Sequence, residues 1–191
     1  QGRLGTVRLS HWSLRKSVLL LGDAAHAITP FFGQGMNCGF EDVVEFLNLV
    51  EGDSSLSGLE AFVEMRKKDS DAIADMALEN WIEMSEKVGD AKFLLKKKWE
   101  SELEKTHPAW FKSRYGMITY TQIPYSEAQR LGKIQDQILY DMISQDGESL
   151  EMGRLSDRFL REYEPQLTES SRKISTDSRV IQLKNILEGK Y

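Results

Sequence analysis

Gly22-Asp23-Ala24-Ala25-His26-Ala27-Ile28-Thr29-Pro30-Phe31-Phe32-Gly33-Gln34-Gly35-Met36-Asn37 is the stretch whose reading decides the fold. An apolar run, Val18-Leu19-Leu20-Leu21, leads into it, and an amphipathic run from Met36 to Val50 leads out. Val18 to Leu21 reads as a short buried strand, apolar throughout and stopped by Gly-Asp. Between the two runs, small residues and Pro30 let backbone N–H groups approach a ligand closely. A helix opening at Gly35-Met36-Asn37 turns its free N–H groups and positive dipole end toward whatever the loop holds. Asp23 at the strand end, the Pro–Gly loop and this helix N-terminus together make a cofactor cradle.

Outward from the loop, Val43, Val44, Phe46, Leu47 and Val50 give the outgoing helix an apolar face. Glu41 and Asp42 read as charge complementarity to the helix dipole. Cys38 reads as a small buried residue, and His26 as a residue that holds the loop. Upstream, Thr6 to Trp12 alternates in part and is a candidate strand, with Trp12 to Lys16 as the turn into Val18. His11 stands alone. No His/Cys cluster has metal-ligand spacing, so no metal site is expected.

Downstream, Glu51 to Ser55 is a stop and a loop, and Ser55 or Ser57 is a candidate helix cap. Leu59 to Val88 lacks Pro and Gly and predicts one long helix. Ile73, Met76, Ala77, Asn80, Trp81, Met84 and Val88 form its stripe at helical spacing. For Asn80 two readings stand side by side: an amide bonded to a neighbouring carbonyl, or one pointing into a pocket. Gly89-Asp90 breaks the helix, and Ala91 to Thr106 resumes the helical pattern until His107-Pro108. Lys96-Lys97-Lys98 reads as a solvated face. Arg114 to Ile123, rich in Tyr, Ile and Thr, reads as extended. Helices are expected over Ser126 to Ser144 and Leu155 to Tyr163. A last one is expected in the polar tail, carried by Val180, Ile181, Leu183, Ile186 and Leu187.

The chain has 191 residues, of which 40% are hydrophobic, a globular proportion. A net charge of −5 removes the electrostatic case for nucleic acid. A single cysteine forms no internal disulfide and fits a reducing, cytoplasmic compartment. No apolar run approaches the ~18 residues of a transmembrane segment, so a soluble chain is expected. Gln1-Gly2-Arg3-Leu4-Gly5 is neither a signal peptide nor an initiating methionine sequence.

Gly22-Asp23-Ala24-Ala25-His26, followed by Pro30 and Gly33-Gln34-Gly35-Met36-Asn37-Cys38-Gly39-Phe40-Glu41-Asp42, resembles a flavin-contacting motif of the FAD-dependent aromatic hydroxylases. Ala77 to Met84, Arg114 to Tyr120 and Ile123-Pro124-Tyr125 extend the likeness, toward the members of that family that act on L-kynurenine. It covers Val18 to Leu139. The resemblance implies the C-terminal part of an α/β flavoprotein monooxygenase fold, mostly α-helical with a few strands at its N-terminal end. Residues 1–90 would be the end of the FAD-binding catalytic domain, including the long helix, and residues 91–191 a mainly helical C-terminal domain. The family's Gly-x-Gly-x-x-Gly unit for the ADP half of FAD is not found here, so a missing N-terminal part of the same protein is expected.

The resemblance also implies the chemistry: hydroxylation of an aromatic ring by reduced FAD, with NADPH as reductant and O2 as oxygen source. It assigns Asp23, Pro30, Gly33, Gly35, Met36 and Asn37 to the cofactor. It assigns Phe31, Phe32, Asn80, Met84 and Tyr115 to the substrate, with Asn80 and Tyr115 on the amino-carboxylate end of L-kynurenine. No side chain of this stretch is required as an acid or a nucleophile. Two rival readings remain: a flavin hydroxylase for another aromatic substrate, and a non-catalytic helical interaction module that keeps a degenerate cofactor loop.

Overall fold

The computed structural model describes residues 4–15, 17–52, 55–108, 110–147 and 151–166. Lys16, Asp53, Ser54 and the expected last helix of the tail lie outside the described residues. The chain divides into two compact units, Gln1–Glu86 and Lys87–Tyr191. The described residues form seven α-helices and two short strands, a mostly helical chain with its strands at the N-terminal end.

In the first unit, β1 (Ser13–Leu14) pairs antiparallel with β2 (Val18–Leu19), Ser13 opposite Leu19 and Leu14 opposite Val18. The strand expected at Thr6 to Trp12 is therefore displaced into what was read as its turn. Residues 7–9 instead lie along the next segment: Val7 N donates to the Ala27 carbonyl and Leu9 N to that of Ala25. Nor is Val18 to Leu21 a buried strand. Only Val18 and Leu19 pair, Val18 is 50% exposed, and no third strand covers the hairpin among the described residues. One helical turn, α1 (Asp23–His26), follows, then the loop, then α2 (Gly35–Gly52).

α2 packs against α3 (Leu59–Glu86), the long helix expected from the absence of Pro and Gly. The face α2 buries is not the expected one. Cys38 and Asp42 are its buried residues, whereas Val43, Val44 and Leu47 are exposed. Along α3 the stripe is also split: Ile73, Met76 and Ala77 are fully buried, but Trp81 and Met84 are exposed, and the helix ends at Glu86, before Val88.

The second unit is organised on α6 (Tyr125–Asp146), which packs against α4 (Ala91–Thr106), α5 (Arg114–Tyr120) and α7 (Met152–Tyr163). Leu131, Leu139 and Met142 of α6 meet an interior that also holds Leu103, Phe111, Met117 and Phe159, all fully buried or nearly so. At Gly132 an added Cβ would lie 2.6 Å from Arg114 Cδ, so a side chain there would force Arg114 and α5 to shift. Gln135 donates to the Lys112 carbonyl and to the Tyr163 hydroxyl, both at 2.9 Å.

Two expectations fail in this unit. Residues 114–120 are helical, not extended: Ser113 Oγ accepts from Gly116 N at 3.1 Å and starts the turn, outweighing the strand propensity of Tyr, Ile and Thr. Of the run Lys96-Lys97-Lys98, Lys97 and Lys98 are exposed as expected, but Lys96 is 1% exposed and paired with Glu100 at 3.2 Å and with Asp136.

The Asp90 side chain caps α4 by accepting from Phe93 N at 3.0 Å. Asp90→Ala should lower the unfolding free energy by about 1 kcal/mol, the usual worth of such a cap. Denaturant titration of both proteins measures it; a difference near zero would remove the cap from the account.

Candidate functional site

The site grows from Gly22. Its φ of 56° is the left-handed region that glycine adopts without strain, and it sets Asp23 as the first residue of α1. Across from it, Gly39 brings α2 close: a Cβ added there would stand 3.4 Å from Gly22 Cα. The loop then closes on itself. Gly33 N donates to the Pro30 carbonyl at 3.2 Å with Gly33 at φ 69°, and Asn37 Nδ2 donates to Gln34 Oε1 at 2.8 Å. Gln34 is buried, while Asp23, Pro30, Gly33, Met36 and Asn37 are exposed. Nothing lies within 4 Å of where a Cβ would stand on Gly33 or Gly35. Open space thus sits directly over the backbone that leads into the first turn of α2.

Beneath the loop is a buried ionic cluster that sequence patterning missed. Asp42 is 0% exposed, not a surface partner of the helix dipole. Its Oδ2 accepts from Gly22 N at 3.0 Å and from His26 Nε2 at 2.5 Å, and its Oδ1 accepts from Arg66 Nε at 2.8 Å. Arg66, 4% exposed on α3, also donates to the Cys38 carbonyl at 3.1 Å and to Glu41 at 3.2 Å, with Asp69 3.7 Å away. Trp12 stacks on the His26 ring with centroids 4.8 Å apart. His26 therefore does hold the loop, and it does so through Asp42.

His26, Cys38 and Asp42 place one donor atom each within 4.8 Å of one another. The Arg66 guanidinium already occupies this space, with Nη2 3.6 Å from Cys38 Sγ. Burial pushes the Cys38 thiol up to about 12, with the Arg66 charge only partly opposing it. A cation would have to displace Arg66 and take a proton from that thiol, so the donor set is that of an ion-pair cluster.

The residues assigned to the substrate separate into two groups. Asn80 Nδ2 donates to the Phe31 carbonyl at 2.8 Å and lies 3.7 Å from Met84 Sδ. The Phe31 ring meets Trp81, a residue the sequence reading left as core, at 5.9 Å between centroids. Asn80, Met84 and Phe31 are thus together, with half-buried Phe32 next in the loop. Tyr115 is in the other unit, on α5, exposed and edge-on to Tyr120 at 6.4 Å.

Burial by itself pushes the Asp42 carboxyl up. The hydrogen bonds from His26, Arg66 and Gly22 outweigh it and hold the group below the usual carboxylate value. Its contribution to stability is therefore complete above the ordinary carboxylate pKa and is lost as pH falls through the lower folded value. The unfolding free energy of the parent should exceed that of Asp42→Asn by a constant amount above about pH 4, and the gap should narrow below it. A gap that persists unchanged into stronger acid would show Asp42 to be uncharged or unpaired. Independently, the single thiol should resist a disulfide reagent in the folded chain and react fully once the chain is unfolded. Rapid labelling of the folded chain would contradict the burial of Cys38.

A family profile described as a FAD binding domain matches residues 8–77. The chain is also similar to proteins named kynurenine 3-monooxygenase. That of Myxococcus xanthus is 44% identical over 142 residues, which are 74% of this chain and 31% of that protein. That of Stenotrophomonas maltophilia is 44% identical over 72% of this chain and 30% of its own length. The Dictyostelium discoideum protein is 43% identical over 73% and 34%. The chain spans about a third of the length of these curated relatives. Over nearly three quarters of its own length the chain is similar to proteins named kynurenine 3-monooxygenase.

Proposed function

We propose that the chain is the C-terminal part of a FAD- and NADPH-dependent monooxygenase that hydroxylates L-kynurenine to 3-hydroxykynurenine with O2. The observation that carries this reading is the open space over Gly33 and Gly35 at the start of α2, in a chain that matches proteins named kynurenine 3-monooxygenase along most of its length. The residues present fit a flavin. Gly33 and Gly35 leave open space over the backbone, and the first-turn N–H groups of α2 are donors for negative charge. Bound FAD would supply the redox chemistry, accepting reducing equivalents from NADPH and delivering oxygen to the ring.

The chain's own residues bind and orient. The N–H groups near Gly35, Met36 and Asn37 would stabilise negative charge on the bound cofactor, a preorganised electrostatic role. Asp23, exposed at the start of α1, accepts hydrogen bonds from cofactor hydroxyls. Phe31 offers an aromatic wall, held by Asn80 at its carbonyl and by Trp81 at its ring. With Nδ2 committed to that carbonyl, Asn80 presents its Oδ1, an acceptor suited to the α-ammonium of an amino acid substrate. Tyr115 supplies a hydroxyl for the same end of the substrate.

The Asn80–Phe31 bond also favours the second reading, a flavin hydroxylase for another aromatic compound, because it gives Asn80 a purpose without an amino acid ligand. Titration of the full-length protein separates the two. Asn80→Ala and Tyr115→Phe should each raise the L-kynurenine Kd roughly 10- to 100-fold, the worth of a hydrogen bond to a charged group, while flavin content holds. Unchanged affinity in both variants removes these residues from the substrate site. Tighter binding of 4-hydroxybenzoate than of L-kynurenine by the parent protein selects the second reading. Asp23→Ala should lose flavin on dilution; full retention would overturn its cofactor role.

A further inference from the structure

The Asp42 cluster lies under the loop, and none of its members is among the residues assigned to cofactor or substrate. Its bonds join three separate pieces of chain. Gly22 N–H comes from the turn that immediately precedes Asp23, and His26 from the end of α1. Asp42 itself belongs to α2, and Arg66 comes from α3. Arg66 then reaches back to the Cys38 carbonyl, one residue beyond Asn37 in the first turn of α2. The network thus ties the segment before the loop to the helix that follows it.

The type of interaction matters as much as the connection. A buried ion pair contributes little to net stability compared with apolar residues of the same volume, because desolvating the charges costs nearly what their attraction returns. What it supplies is direction: charge-assisted bonds from Arg and to carboxylate fix distance and angle. Here they fix the Gly22 backbone against α2 where Gly39 allows close approach, a Cβ there standing 3.4 Å from Gly22 Cα.

We propose that Asp42, with Arg66 and His26, is a positioning residue for cofactor binding. The cluster sets the spacing between the Asp23 backbone and the first-turn N–H groups of α2, and through it the affinity for the flavin. This rests on the reading of the loop as a flavin site. The ligand touches none of the three side chains; they act through Gly22, α1 and the α2 N-terminus.

The test compares the full-length apoprotein with three variants. Asp42→Asn keeps the shape and removes the charge. Arg66→Lys keeps the charge and removes the two-pronged fork. Ile73→Val trims a fully buried α3 residue that takes no part in the cluster and should lower stability modestly. Each is measured for thermal unfolding of the apoprotein, for FAD Kd by fluorescence quenching, and for the visible spectrum of the bound flavin. Positioning predicts that Asp42→Asn and Arg66→Lys raise the FAD Kd about tenfold or more and shift the flavin spectrum, whereas Ile73→Val leaves both unchanged. If Asp42→Asn does not fold, Arg66→Lys decides by the same criterion. The inference is overturned if either folded cluster variant lowers the melting temperature yet keeps parental FAD affinity and spectrum. Absence of FAD binding by the parent protein is a different outcome, one that overturns the flavin reading itself.

Discussion

A carboxylate with no access to water has to find all of its partners inside the protein, and the first unit is arranged around that need at Asp42. Its two oxygens take three bonds, and the donors come from the Gly22 turn, α1 and α3. Removing a partner would leave a bare buried charge, a loss on the order of 3–5 kcal/mol, so each donor segment is held in place by the others. The sheet cannot play this part. Two strands of two residues each are far below what stabilises a hairpin unaided. Order at the candidate site therefore comes from α2, α3 and the ions between them.

The long helices were legible because punctuation and caps are local. Leu59 to Glu86 contains no Gly or Pro, Asp90 announces α4, and Gly147 with φ 61° closes α6. Helix α5 was not legible, since Tyr115, Ile118, Thr119 and Tyr120 favour strands one by one and the signal against them is a single capping hydroxyl at Ser113. Of the candidate site, the loop was readable from its glycines and the helix start, but the cluster beneath was not. Hydrophobic periodicity counts apolar residues, and Asp42, Arg66 and Lys96 are charges in buried positions. A usable signal existed: Phe62, Arg66, Asp69 and Ile73 share one helical face, so two charges interrupt an apolar stripe.

The same inversion explains why the expected apolar face of α2 is misplaced. Its inner side is committed to Cys38 and Asp42, which puts Met36, Phe40, Val44 and Leu47 on the outer side, each more than half exposed. Four such residues at helical spacing form the kind of contiguous patch that marks an interaction surface.

Phe31 joins the two halves of the proposed chemistry. Its carbonyl is held by Asn80 and its ring by Trp81, neighbours on α3, while the glycines that leave room for a flavin follow two and four residues later in the chain. A change on α3 at this point acts on Phe31 directly and on the glycine loop through the chain. Asn80 is thus a poor witness by itself: weaker substrate binding after its removal has one meaning if the flavin is retained and another if it is not. Tyr115 belongs to the other unit, on α5, so agreement between the two variants is what distinguishes a shared ligand from a loosened loop.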